Sequence, residues 1–293
     1  MARKTNTAGR AAMLSPALGV YLLLALLPIA NLVAMSLHTI KWDQGIAHWT
    51  FNGLAHYASM SGDPLLRAGA INTVLFALGS VAIEMALGLM LALFVSRVGK
   101  GRVLYRTIFL LPVLIPGIVI GAIWKLMYNP DFGVINQLLG VVGITGIDWL
   151  GDGKLALLSV IVVDVWHWTP FVFLLLLAAI ESLPEDVHEA ATIDGASRWQ
   201  EFRFVTFPML LPALAVTMVF RLIVSFKVFD EVYLLTGGGP GTATEVVSFT
   251  IYRRFFTEDR MGYGSAISVM VLFVLTLVIV AGLSAIRRRE AHR

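Results

Sequence analysis

The chain has no cysteine among its 293 residues, which excludes disulfides, thiolate metal sites and a cysteine nucleophile but leaves the compartment open. Charge is also scarce. Charged residues make up 14% of the chain and hydrophobic ones 58%, where soluble domains average about a quarter charged. The net charge is only +3, and its basic residues are spread over several loops, so no nucleic-acid surface is indicated. No phosphate-cradling G-x-x-x-x-G-K-[ST] loop is present. Gly237-Gly238-Gly239-Pro240-Gly241 lacks the lysine, and Gly151-Asp152-Gly153-Lys154 has too few positions. Within the long apolar runs there is no HExxH, no Ser/His pair and no carboxylate pair at helical spacing, which argues against an intramembrane enzyme. No second histidine or cysteine stands at ligand spacing from His167. The reading is therefore no enzyme, no catalytic residues, no metal and no cofactor of its own. No strong internal repeat, low-complexity tract or soluble domain is visible.

What the chain has instead is long apolar runs, with a mean hydropathy of +0.81. Six of them, near 12–36, 70–95, 104–127, 155–180, 207–229 and 263–286, are long enough to cross a bilayer of about 30 Å at 1.5 Å per residue. Runs of this length in lipid must pair their backbone internally, so helices are expected. The fold class is all-α, a polytopic membrane protein with six transmembrane helices. The expected organisation is an N-terminal tail 1–11, a membrane domain 12–286 and a C-terminal tail 287–293. The basic residues before the first run could suggest a signal peptide, but the run is too long and no small-x-small cleavage site follows.

Lysine and arginine then set direction. One side carries Arg3, Lys4, Arg10, Arg97, Lys100, Arg102, Arg106, Arg198, Arg203, Arg287, Arg288, Arg289 and Arg293. The other carries fewer, interleaved with acids. This puts both termini and the 181–206 loop in the cytoplasm. The outer loops, about 37–69, 128–154 and 230–262, are marked by turn formers such as Asn52-Gly53 and Asn129-Pro130-Asp131.

Charges inside the spans are candidates for function because each costs roughly 2.5–3.5 kcal/mol or more at the bilayer centre. They are Glu84, Asp164 and Arg221. Asp164 and Arg221 lie at about the same depth, so the expectation is that they pair or line one aqueous cavity. The bland reading is that such charges only hold helices together. Trp166, two residues from Asp164, is a candidate for the substrate pathway, while Trp168 suits packing or an interfacial belt. His167 reads as a satisfied polar contact. Pro170 can kink its helix, and Gly117-Ile118-Val119-Ile120-Gly121 favours close helix packing. Lys125 and Lys227, near helix ends, snorkel.

The polar insert at 182–206 reads as two short helices with a bend. Ser182-Leu183-Pro184-Glu185 and Ser197-Arg198-Trp199-Gln200 each fit a capping box, and Asp194-Gly195 breaks the helix between them. Trp199, Phe202 and Val205 give the second helix an apolar face. Such a bent, amphipathic element can seat in a partner's groove or lie on the bilayer surface; its pattern alone leaves both open.

Residues 189–208, Glu189-Ala190-Ala191-Thr192-Ile193-Asp194-Gly195 through Phe202 to Pro208, fill every fixed position of E-A-A-x-x-D-G-A-x-x-x-x-x-F-x-x-x-x-x-P. The pattern resembles the coupling loop of binding-protein-dependent ABC importer permeases. The stretch Asp164-Val165-Trp166 with Pro170-Phe171, the segment Phe229 to Thr244, and Phe51-Asn52-Gly53-Leu54-Ala55-His56-Tyr57 look like the carbohydrate-uptake, maltose-type first-subunit branch. Ala55 departs from the usual asparagine. The resemblance implies a type I importer fold, with five core helices plus one N-terminal helix. It also implies a bacterial inner membrane, a second permease, an ABC ATPase dimer that binds the ATP, and an extracytoplasmic substrate-binding protein. On it, Glu189 contacts the ATPase, Ala190 and Ala191 allow close approach, and Gly195 forms the bend. Phe202 anchors the second helix and Asp194 caps or braces the bend. Gly237, Gly238, Gly239 and Pro240 face the binding protein or the solute. The expected function is uptake of a sugar, oligosaccharide or related polyol. The alternatives are another solute such as a glycerol phosphate, or an ion-coupled secondary transporter.

Overall fold

The computed structural model describes residues 7–98 and 101–291. Arg3, Lys4, Lys100 and Arg293 lie outside the described residues, as do the side chains of Arg10, Arg102, Arg287, Arg288 and Arg289. In chain order the elements are α1 (Thr7–Ser36), the strands β1 (His38–Asp43) and β2 (Ile46–Phe51), α2 (Ala55–Ser59) and α3 (Pro64–Ser96). There follow α4 (Arg102–Leu110), α5 (Gly117–Met127), α6 (Val134–Gly140) and α7 (Ala156–Glu181). After these come α8 (Glu185–Ile193), α9 (Arg198–Glu201), α10 (Phe207–Ser225), α11 (Asp230–Leu235), α12 (Val247–Tyr252) and α13 (Met261–Ala291).

Among the described residues, five helical stretches are long and apolar enough to span a membrane, with Gly117–Met127 a shorter apolar helix. The fifth expected run starts earlier than hydropathy suggests, because α9 continues through a π-helical turn at Phe202–Thr206 into α10. The third, 104–127, is broken. After α4 a short 3-10 turn spans Pro112–Leu114, Ile115 is extended ahead of Pro116, and α5 starts at Gly117. Two prolines four apart explain the break, since each removes an amide donor and Pro116 also holds Ile115 out of the helical region, at φ -87° and ψ 128°. The loop after α1 holds a feature the sequence did not announce, an antiparallel hairpin of β1 and β2. Its turn residues Gln44 and Gly45 both have positive φ, 48° and 82°, as a two-residue type I′ connection requires.

The described residues form two compact units, one up to Asp63 with Ile251–Val274, the other Pro64–Thr250 with Leu275 onward. In the first unit, Asp63 accepts two bonds from Arg254 (2.8 and 2.9 Å) and one from Tyr263 (2.8 Å). Burial alone would lower the Arg254 pKa, but its bonds to Glu258 and Asp63 outweigh that and raise it. Gly262 lies so close to the His38 carbonyl that an added Cβ would stand 2.1 Å from it.

In the second unit α3 packs along α7. Gly88 permits the approach, since a Cβ there would meet Val172 Cγ1 at 2.6 Å. Around this contact Ala92, Val95, Val172, Phe173, Leu176 and Leu177 form a buried cluster. Lipid tails are as apolar as these side chains, so close packing at small residues rather than water exclusion holds the helices together. The Gly117/Gly121 pair packs against α11 through Asp230 and Leu234 rather than against another span.

Candidate functional site

Three spans of the second unit meet at Arg221. From α10 its guanidinium reaches Glu84 of α3 with two bonds, Nε to Oε2 at 2.5 Å and Nη2 to Oε1 at 2.6 Å. Nη2 also donates to Asp164 Oδ2 of α7 at 3.0 Å. The Trp168 ring lies 4.6 Å from Arg221 Cζ, a cation–π contact strengthened by the lack of water. The three charged residues are 0%, 0% and 2% exposed for Arg221, Glu84 and Asp164. Beside them His167 Nδ1 sits 3.3 Å from Glu231 Oε1, and both side chains are buried. Depth had suggested the Asp164–Arg221 pair. The sequence marks Glu84 as a third intramembrane charge but not as the main partner, because depth along separate spans says nothing about which face each residue occupies. Where two carboxylates converge on one guanidinium and all are desolvated, removing one partner leaves uncompensated charge, and the arrangement resists separation of its helices.

Trp166 faces away from this cluster. It packs edge-on against Trp124, with centroids 5.7 Å apart, and lines a 610 Å³ cavity with Ile83, Leu87, Leu158 and Val162. The lining is apolar apart from Thr169, so it has few groups to meet sugar hydroxyls.

The insert between α7 and α10 forms the expected elbow, with one correction. Ser182 does not cap α8. It ends α7, and its hydroxyl donates to Ala179 O at 2.8 Å, while Pro184 takes the N-cap position in an extended conformation without a side-chain bond. A serine three residues before glutamate meets the pattern, but the preceding helix claims its hydroxyl first. The second capping box is present. Gln200 N donates to Ser197 Oγ at 3.4 Å, and Ser197 N donates to Gln200 Oε1 at 2.8 Å. Gly195 has φ +75°, the left-handed conformation that ends a helix at little cost in glycine, and Ala196 N closes back on Ala191 O at 3.0 Å. Among the described residues no hydrogen bond or ion pair reaches the Asp194 carboxylate.

Glu189, Ala190, Asp194 and Gly195 are exposed, Ala191 is buried, and Phe202 is half-buried between Trp199 and Phe207. Ile193, Trp199 and Phe204 present bare apolar surface nearby. Two contacts that spacing could not reveal brace the elbow. His188 Nδ1 lies 2.8 Å from Glu201 Oε1, joining α8 to α9, and Arg106 of α4 pairs with Glu181 at the end of α7.

The glycine-rich segment is more firmly tied than composition suggests. Gly237 and Gly238 have φ of 59° and 85°. A Cβ on Gly238 would stand 2.4 Å from Glu245 Oε2 and 2.9 Å from Phe249, so a larger residue has no room. Thr244 Oγ1 donates to Gly239 O at 2.7 Å. Gly239 and Pro240 border a 360 Å³ cavity that also has Lys125, Asn129, Asp148 and Thr236 on its walls.

Several spans clamped by buried charge, with an exposed helical elbow between two of them, define a multi-pass membrane permease. The chain belongs to the family of binding-protein-dependent transport system inner membrane components, whose model matches residues 84–290. It is 39% identical over 265 residues to the trehalose/maltose transport system permease protein MalF of Thermococcus litoralis, covering 90% of this chain and 88% of that one. It is 33% identical over 251 residues to the probable starch degradation products transport system permease protein AmyD of Thermoanaerobacterium thermosulfurigenes, covering 86% and 85%. Its fold matches a permease chain of the bacterial alginate ABC transporter, solved in complex with an alginate pentasaccharide-bound periplasmic protein. That match has a TM-score of 0.83 and 25% identity and covers 98% of each chain. The chain is thus an ABC importer permease, a multi-pass inner-membrane transport subunit and not itself an enzyme.

Proposed function

We propose that this permease carries a sugar, oligosaccharide or related polyol by alternating access, together with a second permease, an ABC ATPase dimer and an extracytoplasmic binding protein. The supporting observation is mechanical. The elbow at 182–208 leaves α7 and enters α10, and these two helices are pinned to each other and to α3 through Arg221, Asp164 and Glu84. A push on the elbow therefore moves three spans as one body, the kind of rigid-body step such transporters use. Glu189, Ala190, Gly195 and half-buried Phe202 form the ATPase-facing side of the elbow, with buried Ala191 as the small residue beneath it that permits close approach, and Asp194 stands free beside the bend. ATP is bound by the partner, and this chain needs no cofactor.

In this reading Glu84, Asp164 and Arg221 form the wall of the pathway and hold it together rather than contacting solute in this state. Trp166 belongs to the apolar side of that wall. Gly237, Gly238, Gly239 and Pro240 present the outer mouth to the binding protein, beside the polar cavity bordered by Lys125 and Asp148. Both termini, the tails 1–11 and 287–293, lie in the cytoplasm around the membrane domain 12–286. The sugar assignment draws on the names of the relatives, which include trehalose, maltose and starch products. A related permease for sn-glycerol-3-phosphate, 32% identical over 244 residues, keeps a polyol phosphate as the second reading. Uptake by the reconstituted complex tests both. ATP-dependent accumulation of a neutral glycan supports the first, and accumulation of glycerol phosphate alone replaces it.

A further inference from the structure

The hairpin of β1 and β2 has two chemically different faces. Partners directly opposite in an antiparallel pair share a face. The pairs His38↔Phe51, Ile40↔Trp49 and Trp42↔Ala47 place three large aromatics on one side, and Thr39↔Thr50, Lys41↔His48 and Asp43↔Ile46 place a side that is polar but for Ile46 on the other. Ile40 is 5% exposed, yet Trp42, Trp49 and Phe51 are 52%, 46% and 71% exposed. An aromatic sheet face left this bare marks an interaction surface.

Its position in the chain identifies the partner. The apolar part of α1, Ser15–Ser36, is 22 residues long, about 33 Å at 1.5 Å per residue, so Ser36 marks the exit from the hydrocarbon. The hairpin begins two residues later and is fastened there. His38 Nδ1 lies 2.7 Å from Ala34 O, Asn52 N donates to Leu37 O at 2.8 Å, and Tyr57 donates to Ser36 Oγ at 2.8 Å. The hairpin is thereby held at the height of the membrane–water interface. Tryptophan favours that layer, where an apolar ring and a polar N–H are both accommodated. Further back along α1, Leu22, Leu23, Leu26 and Leu27 are likewise bare.

We propose that the Trp42–Trp49–Phe51 face lies on the lipid headgroup layer and anchors the end of α1, with Lys41, Asp43 and His48 turned to water. The chain has no native cysteine, so single probes can be placed. In the assembled complex reconstituted into phospholipid vesicles, an environment-sensitive fluorophore is attached at Trp49→Cys and, separately, at His48→Cys. Background is measured on complex carrying the cysteine-free chain. A spin-labelled phospholipid quenches the probe at 49 several-fold more than at 48, and aqueous iodide does the reverse. Phe51→Cys repeats the measurement if Trp49→Cys does not assemble. A probe at 49 that is quenched by iodide as strongly as that at 48 overturns the proposal. So does one shielded from both quenchers, which assigns the face to a protein partner.

Discussion

The buried charge cluster and the 182–206 elbow share α7 and α10 and treat polarity in opposite ways. Around Arg221 every charge is shut from water and answered by another, across three helices. At the elbow Glu189 and Asp194 are exposed, and the internal bonds are mostly those that shape the bend. The first pattern is what a clamp needs, because a buried charge strongly penalises loss of its partner. The second is what a docking element needs, because its polar groups are left for another surface to meet.

Breaking the clamp should have the largest effect. Arg221→Ala leaves Glu84 and Asp164 facing each other without a counter-ion, an expected loss of about 3–5 kcal/mol. It reads out as a lowered melting temperature of the purified complex. Neutralising all three positions together, as Arg221→Met with Glu84→Gln and Asp164→Asn, should recover most of that stability. If the triple variant is no better than the single one, the charges are not acting as one unit.

At the bend, Gly195→Val forces a β-branched residue to φ +75°, at a cost on the order of 1–3 kcal/mol. The elbow can relieve this only by changing its angle. Solute transported per ATP hydrolysed should therefore fall while the spans stay folded; an unchanged ratio would show that the angle does not matter. His188→Ala removes the half-exposed link between α8 and α9 and should cost about 0.2–1 kcal/mol. A double-mutant cycle with Glu201→Ala measures it. Additive losses would mean that the 2.8 Å contact does not couple them.

The two regions were also unequally legible in the sequence. The elbow could be read locally: Gly195 ends a helix for conformational reasons, and Ser197 with Gln200 caps the next within four residues. Even there the local pattern misled at Ser182, whose hydroxyl turns back to the preceding helix. The clamp required long-range information. Rise per residue gave the common depth of Asp164 and Arg221, but which face of α3 meets them is set by helix packing, such as that of Gly88 on Val172, and this is what lets Glu84 take two bonds from Arg221. The β-hairpin is faint in the sequence because its alternation is short and its turn, Gln44-Gly45, is not among the strongest hairpin dipeptides. The break in the third span was written in Pro112 and Pro116, yet hydropathy averages across prolines.

The most direct test of the contrast is Glu189→Arg. It lies on exposed surface, so the melting temperature of the permease should stay within the small range of surface substitutions. Co-purification of the ATPase should be lost while the second permease is retained. Full recovery of the ATPase with the variant, or its loss only alongside a fall in permease stability, would contradict the assignment of docking to the elbow and holding to the buried clamp.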